Sequence, residues 1–144
     1  KQDLNVLVGD VLALYEAGPC RFAAELAGEP LMVAADTTAM RQVLHNIFKN
    51  AAEAAEEADM PEVRVKSEAG RDGQIVLTVC DNGKGFGKEM LHNAFEPYMT
   101  DKPAGTGLGL PVVKKIIEEH GGRISLSNQD AGGACVRIIL PKTV

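Results

Sequence analysis

The chain has 144 residues, 45% of them hydrophobic, enough for one domain with a single core that buries roughly 70% of the unfolded surface. Its 15 Lys and Arg against 20 Asp and Glu leave a net charge of −5, which gives no electrostatic reason to expect nucleic acid or an anionic membrane as partner. No signal peptide or run of about 18 apolar residues appears, so these residues read as a soluble piece. The chain opens on Lys1, and the expectation is a domain of a longer protein in which a membrane segment can lie upstream.

Asp3 to Tyr15 carries Leu4, Leu7, Val8, Val11, Leu12 and Tyr15 at the spacing of one helix face, with Gly18-Pro19 closing it. Cys20 to Leu26 and Leu31 to Ala34 read as strands around a Gly28-Glu29-Pro30 turn. Asp36 or Thr37 is the candidate cap for the clearest helix, Thr38 to Ala58. Its apolar stripe is Met40, Val43, Leu44, Ile47, Ala51, Ala54, Ala55 and Ala58. Two strands follow, Glu62 to Ala69 and Gln74 to Cys80, joined by the hairpin-like Gly70-Arg71-Asp72-Gly73.

Residues 81 to 107 are rich in glycine and proline and lack sustained periodicity, which marks a working loop rather than a mere connection. A short helix near Lys88 to Asn93 is expected to interrupt it. A helix from about Leu108 to His120 then presents Val112, Val113, Ile116 and Ile117 and stops at Gly121-Gly122. Arg123 to Ser127 and Ala134 to Leu140 complete the strands. This order predicts an α/β fold, a two-layer sandwich with a mixed sheet of about five or more strands covered by about three helices.

Cys20, Cys80 and Cys135 are widely spaced and sit in apolar runs, so all three are expected to be reduced core residues of a cytosolic protein. His45, His92 and His120 lack the spacing of a metal site or of a nucleophile's base, and are expected at the surface.

Three segments can carry chemistry. On the long helix, Asn46 and Asn50 lie one turn apart on the same side, with Asn50 bordering the stripe, where amide oxygens can serve a hard cation such as Mg²⁺. In DNGKGFG, residues 81 to 87, Asp81 emerges at a strand end as a partly desolvated acceptor for an amino group such as that of adenine. Gly83, Gly85 and Gly87 let backbone approach a flat ligand. In FEPYMTDKPAGTGLGLP, residues 95 to 111, Gly105, Gly107 and Gly109 lead into a helix start, where free N–H groups and the positive dipole end can hold phosphate. Thr100, Lys102 and Thr106 add donors and charge, and Pro111 fits the first turn. A dinucleotide fingerprint fails for want of a preceding strand and because residue 110 is Leu110; a P-loop fails for want of Gly-Lys-Ser/Thr.

The ordered set LHNIFKNAAEA, DNGKGFG, FEPYMT and GTGLGL resembles the histidine-kinase ATPase domain of the GHKL superfamily, whose members share the Bergerat ATP-binding fold. TDKPAGTGLGLPVVKKIIEEHGG looks especially like nitrogen-regulation sensor kinases. The resemblance implies Asn50 as the Mg²⁺ ligand with Asn46 beside it, Asp81 as the adenine-binding carboxylate, and Gly83 and Gly85 as the first glycine box. It also implies Phe95 in a mobile box, and Gly105, Thr106, Gly107, Leu108 and Gly109 as the second glycine box over the phosphates, with Lys102 placed to reach the terminal phosphate. Residues 94–107 are the implied ATP lid, and residues 1–17 a lead-in helix from an upstream dimerisation domain. Glu53 and Ala54 replace the Lys and aromatic common after the metal-binding Asn, and Ala134 stands where a Thr is frequent.

The implied activity is transfer of the γ-phosphoryl of Mg·ATP to a histidine on a separate dimeric domain, with a response regulator downstream. The isolated domain is expected to be a monomer, the full-length protein a homodimer with a cytoplasmic catalytic part that can be anchored at the bacterial inner membrane. The alternatives are an ATPase clamp of the gyrase, chaperone or mismatch-repair type, whose general-base Glu is here Asn46, and a catalytically inactive nucleotide-binding module.

Overall fold

A computed structural model describes residues 1–87 and 109–143. In chain order it contains β1 (Gln2–Asp3), α1 (Leu4–Leu12) with a 3₁₀ turn at Ala13–Tyr15, β2 (Arg21–Glu25), β3 (Met32–Val33), α2 (Thr37–Ala55), β4 (Glu62–Ala69), β5 (Gln74–Asp81), α3 (Gly109–Glu119), β6 (Arg123–Asn128) and β7 (Ala134–Pro141). The five-stranded sheet has order β2-β4-β5-β7-β6, parallel between β2 and β4 and antiparallel elsewhere. The predicted α/β sandwich with a mixed sheet of five strands and three helices is the observed architecture among the described residues.

α2 forms because its apolar positions recur at i, i+3, i+4 and i+7. Met40, Val43, Leu44, Ile47, Phe48, Ala51 and Ala55 are all buried. Asp36 is its cap, accepting from the Ala39 N–H at 3.2 Å. Helix α2 ends at Ala55, not Ala58, and its C-cap Glu56 N–H bonds back to Glu53. Phe48, absent from the predicted stripe, is fully buried, because the aromatic rings of Tyr15 and Phe22 close over that flank at centroid distances of 6.1 and 5.8 Å. His45 is half-buried beneath Tyr15 rather than solvated. The Tyr15 hydroxyl donates to the His45 carbonyl at 3.3 Å and lies 3.4 Å from its Nδ1.

Strands β2 and β3 do not pair around the Gly28 turn. Met32–Val33 pairs instead with Gln2–Asp3 in a separate two-stranded ribbon, and β2 runs parallel to β4 at the sheet edge. This edge is fastened by a buried polar knot. Ser67 Oγ donates to Asn5 Oδ1 at 2.6 Å and accepts the Ala27 N–H at 2.9 Å, and Asn5 Nδ2 donates to the Ala27 carbonyl. Each group in the knot has a partner, so the burial of Ser67 carries no desolvation penalty left uncompensated.

β4 alternates between buried Val63, Val65 and Ser67 and exposed Arg64, Lys66 and Glu68, so one face of the sheet meets the helices and the other meets solvent. α3 stops as predicted at the glycine pair. The Gly122 N–H reaches the Ile117 carbonyl at 2.9 Å, and Gly121 takes φ +78, a left-handed stop. His120 is a clasp rather than a free surface residue. Its Nε2 accepts the Asp36 N–H at 3.2 Å and its Nδ1 lies 2.7 Å from the Ile116 carbonyl, which assigns the proton to Nδ1.

The expectation of three reduced cysteines holds only for Cys20, which is buried and free. Cys80 and Cys135 form a disulfide. The reason is register: β5 and β7 set these two residues directly opposite each other, with Cα atoms 4.1 Å apart despite a sequence separation of 55. The spacing of the cysteines in the chain carries no information about that pairing.

Candidate functional site

The site grows from the C-terminal end of β5. Its alternation points Asp81 to the helix side, where the residue is only 6% exposed. Asp81 Oδ1 accepts the Gly83 N–H at 2.9 Å and faces the Ala134 N–H at 3.4 Å, while its carbonyl accepts from Gln129 Nε2 at 3.0 Å. The carboxylate is thereby fixed in place by the loop that follows it and by the start of β7, as an acceptor must be if it is to select a donor.

Two glycines let the backbone close around this residue. A Cβ on Gly83 would overlap the Ala54 carbonyl oxygen and lie 2.8 Å from its carbon, so Gly83 rests directly on the last turn of α2. A Cβ on Gly133, which also has φ +96, would overlap the Asp81 carbonyl. The Gly132-Gly133-Ala134 turn therefore belongs to the frame of the Asp81 carboxylate.

Helix α2 then relays the site inward. Asn50 lies one turn before Ala54, about 6 Å along the axis, and its Nδ2 is 3.7 Å from where a Cβ would stand on Gly109, the first residue of α3. The predicted Asn50, Asp81, Gly83 and Gly109 are thus brought along one seam, from the Asp81 carboxylate at one end to the start of α3 at the other. Asn46 sits one turn further back, half-buried. Gly85, at φ +84, approaches Asn128: Asn128 Oδ1 accepts the Phe86 N–H and its Nδ2 donates to the Phe86 carbonyl, both at 2.8 Å. Phe95, Thr100, Lys102, Gly105, Thr106, Gly107 and Leu108, with the expected helix at Lys88 to Asn93 and His92, lie outside the described residues.

Asn82 closes the other flank, its Oδ1 accepting the Glu62 N–H and its Nδ2 donating to the Met60 carbonyl. A hydrogen bond from Arg64, helped by the charges of Arg64 and Arg21, holds the Glu62 carboxyl below its ordinary value. Burial first, then the charges of Glu62 and Asp81, pushes the Cys20 thiol up, so it is a poor nucleophile.

No group of three His, Cys, Asp or Glu among the described residues can hold a metal ion. An amide at Asn50 beside a helix start suits a metal of the Mg²⁺ kind, which keeps its waters and arrives with substrate phosphates. A concavity of about 100 Å³ lined by Val33, Met40, His120 and Leu140 lies at the opposite end of α2, and is too small for a nucleotide.

The family model described as histidine kinase-, DNA gyrase B-, and HSP90-like ATPase matches residues 35–144. The chain belongs to this family. Nitrogen regulation protein NtrY of Azorhizobium caulinodans is 39% identical over 146 residues, covering 96% of this chain and 19% of NtrY. Sensor histidine kinase ZraS of Salmonella typhimurium is 42% identical over 109 residues, covering 76% of this chain and 23% of ZraS. The chain spans about a fifth of the length of these curated relatives.

The catalytic domain of histidine kinase ThkA superposes with a TM-score of 0.87 at 34% identity, covering 99% of this chain and 97% of that one. ThkA has also been solved in complex with the response regulator protein TrrA, and that kinase chain matches at TM-score 0.82 and 32% identity over 98% of this chain and 41% of that one. This member of the histidine kinase-like ATPase family therefore has the α/β fold of histidine kinase catalytic domains.

Asn128 and Gln129, which hold the Gly85-Phe86 backbone and the Asp81 carbonyl, are not among the residues that the sequence singled out. Each acts on backbone more than 40 residues away in the chain, and an isolated Asn-Gln pair after a strand reads as an ordinary turn.

Proposed function

We propose that this chain is the Mg·ATP-binding catalytic domain of a two-component sensor histidine kinase and passes the γ-phosphoryl group to a histidine on a separate dimerisation domain. The observation that carries the reading is the seam itself. A buried acceptor, Asp81, stands at one end of α2's last turns, and Asn50 faces the start of α3 at the other. Asp81 accepts the adenine amino group, with Gly83 and Gly85 giving the base its flat approach. Asn50 is the protein ligand of Mg²⁺, which neutralises charge on the phosphates when bound, and Asn46 supports that edge. Phosphate is held at Gly109 and, in the lid of residues 94–107 with Leu108, by Thr100, Lys102, Gly105, Thr106 and Gly107; Phe95 is part of that lid.

Catalysis under this reading is positioning and charge neutralisation, since phosphoryl transfer asks little covalent chemistry of the protein. Asn46 offers no carboxylate to activate water, which favours transfer over hydrolysis. The resemblance to ThkA, crystallised with a response regulator, supports a response regulator as the downstream partner. We place the domain in the cytoplasm of a dimeric parent, with residues 1–17 leading in from the dimerisation domain. No helix among the described residues is long and apolar enough to cross a membrane.

The test is labelled ATP with a separately produced phosphoacceptor domain. Acid-labile phosphate is expected on the acceptor and none on this chain, and Asn50→Ala is expected to reduce transfer at least about a hundredfold, the scale of losing a charge-stabilising contact in phosphoryl transfer. Release of free phosphate with an unlabelled acceptor would establish a hydrolytic clamp instead.

A further inference from the structure

The disulfide lies next to the proposed adenine contact on both strands. Cys80 precedes Asp81 on β5, and Cys135 follows Ala134 on β7, so the bond joins the carboxylate's strand to the strand whose amide addresses it. Strand alternation places the two functions on opposite faces. Asp81 and Ala134 are buried toward the helices, while Cys80 and Cys135 are half-exposed on the other face, beside exposed Ser127 and Arg137.

We propose that Cys80–Cys135 is a reversible thiol–disulfide site, reached from the open face of the sheet by a low-molecular-weight thiol, whose state sets the affinity of the Asp81 end of the cleft for nucleotide. The nucleotide part rests on the function proposed above. An external thiolate attacks one protein sulfur, the S–S bond breaks, and the other protein sulfur leaves as a thiolate that takes a proton. A second external thiolate attacks the external sulfur of the resulting mixed disulfide, that S–S bond breaks, and the second protein sulfur leaves as a thiolate that takes a proton. In sum, two external thiols become one external disulfide and the protein gains two S–H groups, two electrons and two protons. Cys20, buried and with its thiol pushed up, does not compete as an internal attacker.

The coupling is geometric. Unbonded residues opposed across an antiparallel pair sit with Cα atoms about 4.5–5.5 Å apart, against 4.1 Å here. Release lets β5 and β7 part by some tenths of an ångström beside Asp81. The Ala134 N–H to Asp81 Oδ1 contact is already 3.4 Å, the outer limit of a hydrogen bond, so even this small movement removes it. The Gly133 backbone that packs against the Asp81 carbonyl moves with it. The oxidised form is therefore the tight-binding form, with the Gly83 and Ala134 amides both on the acceptor, and the reduced form loses the Ala134 contact.

The test compares the unmodified chain oxidised and after mild reduction by a small thiol, with a thiol count, a thermal melt, and calorimetry with a non-hydrolysable Mg·ATP analogue. Counted on samples trapped in acid and then unfolded, the free thiols are expected to rise from one, Cys20, to three, for a chain that melts cooperatively before trapping. The dissociation constant is expected to weaken about three- to tenfold, the scale of one hydrogen bond, and to recover on reoxidation with a small disulfide. Cys80→Ser with Cys135→Ser is expected to stay at the weaker value in both conditions. Equal affinity in the two states with a count of three overturns the proposal, as does a count that stays at one. Absence of nucleotide binding in both states overturns the functional reading as well, while the thiol count separately reports whether the bond opens.

Discussion

Asp81→Ala is expected to weaken Mg·ATP binding by about 1–3 kcal/mol, roughly five- to 150-fold, as read by calorimetry. The carboxylate is buried and fixed by the Gly83 and Ala134 amides, so its removal deletes a preorganised charged acceptor rather than a mobile surface group. The same change deprives those two amides of their acceptor, which lowers stability as well. A thermal melt beside the titration separates the two effects. Unchanged affinity in a variant that remains folded would remove the adenine role from Asp81 altogether.

Gly83→Ala acts on the frame rather than on the ligand. The added methyl would meet the Ala54 backbone of α2, which cannot turn aside as a side chain can, and would come 3.1 Å from Asp81 Oδ1. Either the loop lifts from the helix or the last turn of α2 gives way. A loss of roughly 2–4 kcal/mol in denaturant unfolding is expected, the scale of overpacking at a backbone contact. Gly87→Ala is the matched control, since nothing lies within 4 Å of its Cβ position; it is expected to change stability by no more than about 0.5 kcal/mol. Equal effects at the two glycines would show that Gly83 does not seat on α2.

These two residues also mark what a sequence can and cannot disclose. The α2 stripe, the Asp36 cap, the β4–β5 hairpin and the glycine stop of α3 are local features, written in residues a few positions apart, and they appear where those residues put them, although α2 ends at Ala55 rather than Ala58. The β1–β3 ribbon has strands of two residues, too short to show any alternation. Phe48 lies outside the stripe counted from α2 alone because Tyr15 and Phe22, from two other elements, complete its surroundings. The order of the site's motifs was legible, as was Asp81 at a strand end. The Asn128 clamp on Phe86 and the Cys80–Cys135 bond depend on register across β5, β7 and β6, which forms only when the sheet does.

Whether the seam between Asp81 and Asn50 takes an adenine nucleotide with its metal is measured most directly by calorimetric titration of the unmodified chain with ATP and with GTP, each with and without Mg²⁺. An acceptor at Asp81 favours the adenine amino group and repels the oxygen that guanine carries in its place. One ATP is expected to bind per chain, at least about tenfold more tightly than GTP, a difference of about 1.4 kcal/mol, and more tightly with Mg²⁺ than without. No binding, or equal affinity for the two nucleotides, would contradict the account.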